Sequence, residues 1–164
     1  MKEFSKVVFT QAVLTSEAQE KVIQLAKKCF GGIHPNVCAH HMTISFKPTR
    51  EEYSILDYGQ TTTLYAVGIT GNQYCQTVLV ETVLPVKNKF PHITISHTDA
   101  VKPRYSNELL DRGNIHMLKD AIPLEAMIGW SNGKDDRYYK ILTDIEDGLE
   151  YISPFAKTVE LHER

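Results

Sequence analysis

The spacing of apolar and polar residues changes several times along the chain, and each change predicts an element. Lys6 to Leu14 (KVVFTQAVL) is rich in β-branched and aromatic residues and predicts a first strand. Ser16-Glu17-Ala18-Gln19 has the form of a capping box, with the Ser16 hydroxyl accepting from the Gln19 amide while the Gln19 side chain reaches back. Ala18, Val22, Leu25, Ala26 and Cys29 then recur at helical spacing, and Phe30-Gly31-Gly32 supplies a left-handed stop.

His40 to Phe46 predicts a second strand, ended by Lys47-Pro48. Thr61 to Ile69 and Gln76 to Leu84 are β-rich and flank Gly71-Asn72, which suits a hairpin turn. Pro91 leads into a strand at His92 to Thr98, and Tyr105 to Arg112 predicts a short helix that begins at Ser106 and stops at Gly113. Leu124 to Trp130 and Arg137 to Leu142 close the pattern as strands around Ser131-Asn132-Gly133. That order predicts an α+β fold of two similar halves. One domain should cover residues 1–145. From Asp144 the chain turns acidic and then mixed, with weak alternation from Lys157 to Leu161, so residues 146–164 are expected to be a tail that is an edge strand or partly disordered, the strand being favoured.

Composition narrows the class. At 164 residues with 42% apolar residues the chain can bury one core but not two. Eighteen Lys and Arg against twenty Asp and Glu leave a net charge of −2, so no global field collects polyanions and any phosphate recognition must be local. Cys29, Cys38 and Cys75 are odd in number and widely spaced, which argues against a disulfide framework or a structural zinc site and for reduced thiols. Without an apolar leader or a run approaching ~20 apolar residues, a soluble, cytoplasmic, monomeric protein with no membrane contact is expected. No protein partner can be deduced.

The informative feature is a near-repeat. His41-Met42-Thr43-Ile44-Ser45 and His92-Ile93-Thr94-Ile95-Ser96 agree at four of five positions. Strand side chains alternate, so His41, Thr43 and Ser45 should share one face and Met42, Ile44 and Phe46 the other, with the same division in the second copy. A lone His-x-Thr on a strand is usually a half-buried surface feature. Two copies weigh differently, because apolar packing does not ask for His and Thr on a polar face.

Side by side, the strands would line one cleft with two imidazoles and two hydroxyls. Displacement at phosphorus needs a base for the attacking oxygen and an acid for the leaving one, on opposite sides of an in-line geometry. Imidazole titrates near neutrality, so one ring can be neutral while the other is charged. Threonine hydroxyls can donate to the non-bridging oxygens. No cofactor or metal is required.

These residues resemble the signature of the 2H phosphoesterase superfamily, the LigT-like group, whose members carry two H-x-[ST]-x-hydrophobic motifs. The resemblance spans about Lys6 to Leu142. It implies two pseudo-symmetric lobes of antiparallel sheet with helices outside and a central cleft. It also implies His41 and His92 as the acid–base pair, and Thr43 and Thr94 as the phosphate-binding hydroxyls. Ser45 and Ser96 stand where the pattern more often has an apolar residue, and alternation would aim them into the cleft as substrate-binding groups. The separation of the two motifs is short for the family, which implies a trimmed first lobe and an open cleft.

Around the motifs, Lys47, Arg50, Lys87, Lys89, Lys102 and Arg104 are candidate phosphate contacts, against solvated loop charge as the bland alternative. Tyr105, Trp130, Tyr138 and Tyr139 could stack a base, although Trp130 ends an apolar run and fits a core better. His40 and His97 adjoin the motifs and should face away on a regular strand, as structural or exposed residues. His34, His116 and His162 have no evident partner. A metal site from His34, Cys38, His40 and His41 is disfavoured, because adjacent strand residues diverge.

The expectation is therefore a metal-independent hydrolase of 2′,3′-cyclic phosphate or related 2′-linked phosphodiesters, on an RNA end, a nucleotide or a cyclic oligonucleotide. The competing class is a binder of RNA termini or cyclic nucleotides that does not turn them over. A structural protein with an incidental repeat is the third.

Overall fold

A computed structural model of the protein describes residues 4–141. The expected tail, its alternation at 157–161, His162 and the last residue of the strand expected at 137–142 lie outside them. A 3₁₀ turn, Phe4–Lys6, leads into β1 (Phe9–Leu14), α1 (Ser16–Phe30), β2 (Asn36–Val37), β3 (His41–Phe46) and α2 (Arg50–Ser54). There follow β4 (Thr61–Gly71), β5 (Cys75–Glu81), β6 (His92–His97), α3 (Tyr105–Asp111), β7 (His116–Ser131) and β8 (Asp136–Arg137).

The strands do not build two α+β lobes. Six of them close a ring in the order β1-β3-β6-β5-β4-β7, with β7 pairing back onto β1, while β2 adds to β6 and β8 to β7. All of these pairings are antiparallel. The described residues thus form a closed six-stranded barrel with two extra strands and three short helices, mostly sheet, which corrects the expectation of lobes with helices outside. The cause is strand length and sharing. β7 runs for 16 residues and pairs with β4 and also with β1, and the two motif strands are themselves joined at Met42 and Ile93. Closure leaves no unpaired edge in the ring, which removes the liability that free strand edges carry.

Local signals mostly hold where they were strongest. The α1 cap lies one residue earlier than the capping box placed it: Thr15 Oγ1 accepts from the Ala18 amide at 3.1 Å, and Gln19 Nε2 donates to the Leu14 carbonyl instead. Gly31 ends the helix at φ 81°, a conformation in which a Cβ is strained. Ala18, Val22 and Ala26 are buried as the periodicity predicts, whereas Cys29 is exposed. The five-residue α2 was not expected, yet Thr49-x-x-Glu52 forms a full capping box. Of the strand expected from Arg137, only Arg137 itself is paired, within β8.

The main core joins α1 to the sheet. Ala18, Val22 and Ala26 pack with Ala12, Leu14, Met42, Ile44, Ile93, Ile95 and the inward residues of β4, β5 and β7. Each fully buried Met or Ile contributes about 1.5–3 kcal/mol by leaving water, so the apolar half of both pentads anchors the strands that carry their polar half.

Candidate active site

Both motif strands carry the same irregularity. Along β3, Thr10 and Gln11 of β1 face Ser45 and Thr43, so Ile44 is an extra residue. Along β6, Gln76 and Thr77 of β5 face Ser96 and Thr94, so Ile95 is extra. A bulge of this kind reverses the alternation beyond it. Met42, Ile44 and Ser45 are therefore buried while Phe46 is exposed, and Ile93, Ile95 and Ser96 are buried in turn.

This overturns the placement of the two serines. Ser45 Oγ lies 2.6 Å from Thr10 Oγ1, and Ser96 Oγ donates to Gln76 Oε1 at 2.8 Å and accepts from the His34 amide at 3.0 Å. Both tie strands together and neither lines the cavity. Phe46 takes the position that alternation had assigned to Ser45.

A second irregularity lies just upstream of the first motif. The Ala39 amide bonds to the Thr94 carbonyl, and Met42 pairs with Ile93. One strand advances three residues while β6 advances one, so His40 and His41 bow outward from the seam. Ala39 makes this possible by adopting φ 48°, unusual for a residue with a Cβ. The regular-strand argument that sent His40 to the opposite face fails here. His40 Nδ1 is 2.9 Å from His41 Nδ1, and the rings meet edge to face.

The result is one cavity of about 450 Å³, within the range of small-ligand sites. His41, Thr43, His92 and Thr94 all line it, as do His40, Cys38, Phe46, Asn88 and Arg104. The Phe9 ring stacks on His41 with centroids 5.2 Å apart. His92 Nδ1 donates to the Phe90 carbonyl at 2.8 Å. The Thr94 hydroxyl is held at 2.8 Å from Ser106 Oγ and 3.3 Å from the Pro103 carbonyl, whereas the Thr43 hydroxyl forms no hydrogen bond among the described residues.

Electrostatics follow from burial. His41 is pushed down to about 4, first by desolvation and then by the neighbouring His40, with the Asp136 carboxylate opposing and His92 adding a little. His92 is also lowered by desolvation, while its bond to the Phe90 carbonyl favours the charged form. Without a ligand both rings are disposed to be neutral. An anionic phosphate in the cavity would raise both values and draw in a proton. Burial holds the Cys38 thiol above its ordinary value, so it is protonated and a poor nucleophile near neutral pH.

Other expected contacts sit elsewhere. Lys47 is exposed over the Phe46 ring, Lys87 pairs with Glu52, and Lys89 pairs with Asp111. Tyr105 accepts from Asn72 Nδ2 and packs near Tyr74, away from the motif cavity. Trp130 is buried at 1% exposure and donates to the Tyr139 carbonyl, so it is core rather than a stacking surface. His97 bonds to the Thr98 carbonyl and His34 to the Asn72 carbonyl. Among the described residues no group of three or more His, Cys, Asp or Glu converges as a metal site would. Sequence reasoning missed Phe46, Asn88, His40 and Asp136. The bulge brings in Phe46 and the bowed segment His40, Asp136 arrives with β8, and Asn88 lies between β5 and β6; no periodicity signals these.

A family model described as the fungal tRNA ligase phosphodiesterase domain matches residues 58–122. That family is of 2H phosphoesterase type, and the chain is similar to it over this stretch. The reaction class that goes with this type is phosphodiester hydrolysis. The matched stretch holds the second motif, with His92 and Thr94, and begins after the first motif, with His41 and Thr43. No curated protein matches the chain.

Proposed function

We propose that the protein hydrolyses a 2′,3′-cyclic phosphate at an RNA end to a phosphomonoester, with no metal ion in the reaction. The observation that carries this reading is the convergence of two imidazoles and two threonine hydroxyls on one cavity. The match to a tRNA ligase phosphodiesterase domain points to RNA as the substrate.

In this reading a water attacks phosphorus as one imidazole takes its proton at Nε2. The bond from phosphorus to one ribose oxygen breaks, and the other imidazole gives that oxygen a proton. The two rings need opposite protonation states, which substrate binding supplies by drawing one proton into a site that is otherwise neutral. Thr43 and Thr94 donate to the non-bridging oxygens, where charge grows in the transition state. Arg104, exposed at the cavity wall, is positioned to meet the adjoining phosphate of the strand. Phe46 offers an exposed ring to a base.

The test is a panel of 2′,3′-cyclic mononucleotides, RNA ending in a cyclic phosphate, 2′-5′ and 3′-5′ dinucleotides and cyclic oligonucleotides. Phosphorus NMR locates each product phosphate. Turnover of the cyclic-phosphate substrates, maintained in chelator, is expected. Saturable binding without turnover would leave a recognition module, and activity lost in chelator but restored by zinc would overturn the metal-free reading.

A further inference from the structure

The two motifs agree at four of five positions, but among the described residues only the first is backed by a carboxylate. Asp136 on β8 presents Oδ2 to His40 Nε2 at 3.1 Å, and its Oδ1 accepts from Gln11 Nε2 at 2.7 Å. Gln11 is fully buried on β1, beside Thr43 on one side and Gly129 of β7 on the other. A Cβ on Gly129 would lie 2.6 Å from the Arg137 carbonyl, so glycine there lets β8 close against β7 and brings Asp136 within reach. Four side chains thus form a line: Gln11, Asp136, His40, His41.

We infer that Asp136 and His40 are positioning residues that hold His41 in the tautomer with a bare Nε2, making His41 the general base and leaving His92 as the general acid. The inference rests on the phosphodiesterase reading for the words base and acid, but not for the tautomer.

The tautomer follows from which atoms can donate. A carboxylate only accepts, so His40 must carry its proton on Nε2. The Nδ1 of neutral His40 is then a lone pair, and the 2.9 Å contact requires the proton to sit on His41 Nδ1. His41 Nε2 is left without hydrogen in a ring that lines the cavity. When that nitrogen takes a proton from water, the Asp136 charge steadies the imidazolium through His40, as a carboxylate does for other catalytic histidines. Protonation of His40 would reverse the line, because both its nitrogens would donate and His41 would turn its proton toward the cavity. His92 is held by a carbonyl, which accepts from Nδ1–H in either protonation state and favours the cation that an acid must begin as.

Charged and titratable groups around the line are few. His41 faces the preceding His40, His92 from β6, Asp136 from β8 and, around the cavity, Cys38 after β2 and Arg104 before α3. Tyr138 faces Asp136, and Asp135 is turned toward Arg137 at 3.5 Å.

Nitrogen-15 NMR of the histidine rings tests the tautomer without any substrate. Near neutral pH His41 should carry its proton on Nδ1, and Asp136→Asn should mix or reverse this, since an amide can donate to His40. In turnover, Asp136→Asn should lower kcat about 10- to 100-fold with KM within about two-fold. Its acid limb of kcat/KM should move to lower pH, because the anion that favours protonated His41 is gone. His40→Gln should give a similar loss. Asp135→Asn, the neighbouring carboxylate outside the line, should change neither tautomer nor limb. The inference is overturned if wild-type His41 carries its proton on Nε2, or if Asp136→Asn keeps the wild-type tautomer, kcat and limb. Should either variant not fold, the wild-type spectrum decides alone. A protein with the expected tautomer and no phosphodiesterase activity would sink the proposed reaction and leave the hydrogen-bonded line standing.

Discussion

The segments around His41 and His92 share four of five residues and the same bulge, yet they are built to different tolerances. At the first, the histidine is supported by side chains drawn from β1 and β8, and the threonine hydroxyl has no hydrogen-bond partner among the described residues. At the second, the histidine leans on its own strand's backbone at Phe90, and the threonine is tied to Ser106 at the start of α3. A repeated motif supplies a matched pair of functional groups. What surrounds each copy decides how the two divide the work.

The largest effect separates the histidines from everything else. His41→Ala and His92→Ala should each reduce turnover of a cyclic-phosphate substrate ~10²–10⁴-fold, with the circular dichroism of the fold retained. If both retain full activity on every substrate the wild type cleaves, neither segment is catalytic.

Stability against acid should also divide the pair by degree. His41 has an unfolded value near 6.5 and a folded value of about 4, so the unfolded chain binds the proton first. Stability conferred by neutral His41 is intact above that range and is lost as pH falls from about 6.5 toward 4, by at most about 3 kcal/mol. Urea midpoints measured from pH 7 to 4.5 should fall steeply for the wild type and less for His41→Asn. A parallel fall in both would show that His41 is not held neutral by burial.

The threonines sharpen the contrast. Thr43→Val should lower kcat/KM roughly ten-fold while leaving the melting temperature unchanged, because its hydroxyl has no hydrogen-bond partner among the described residues to lose. Thr94→Val should show a similar kinetic loss together with about 1 kcal/mol of destabilisation, from the broken bond to Ser106. Equal stability in the two variants would contradict the asymmetry.

Ser45 and Ser96 give the smallest kinetic effect. Each serine-to-alanine change should cost about 1 kcal/mol of stability and alter kcat/KM less than two-fold, since both hydroxyls bond to neighbouring strands and neither lines the cavity. A ten-fold kinetic loss with stability unchanged would put them back in the site.

How far the chain could be read before folding follows from the range of each signal. Helix α1, the β4–β5 hairpin and both motif strands depend on local periodicity and turn residues, and they form within a few residues of where those signals place them. The identity of the four cavity-lining His and Thr residues was legible for the same reason: within each pentad the alternation survives from the histidine to the threonine. It fails at the serine two residues on, because a bulge depends on which residue a neighbouring strand places opposite. His40 was misjudged for a related cause, since its place depends on Ala39 accepting a left-handed backbone.

The sequence by itself therefore determined the chemistry on offer, two imidazoles and two hydroxyls on strands whose other face is apolar. Tertiary structure alone decided the closed ring, because closure depends on β7 reaching both β4 and β1 across more than a hundred residues of chain. It alone decided the partners too. Asp136 stands 96 residues beyond His40 in the chain, and only strand pairing and the close approach at Gly129 bring a carboxylate to one histidine motif and leave the other to a carbonyl.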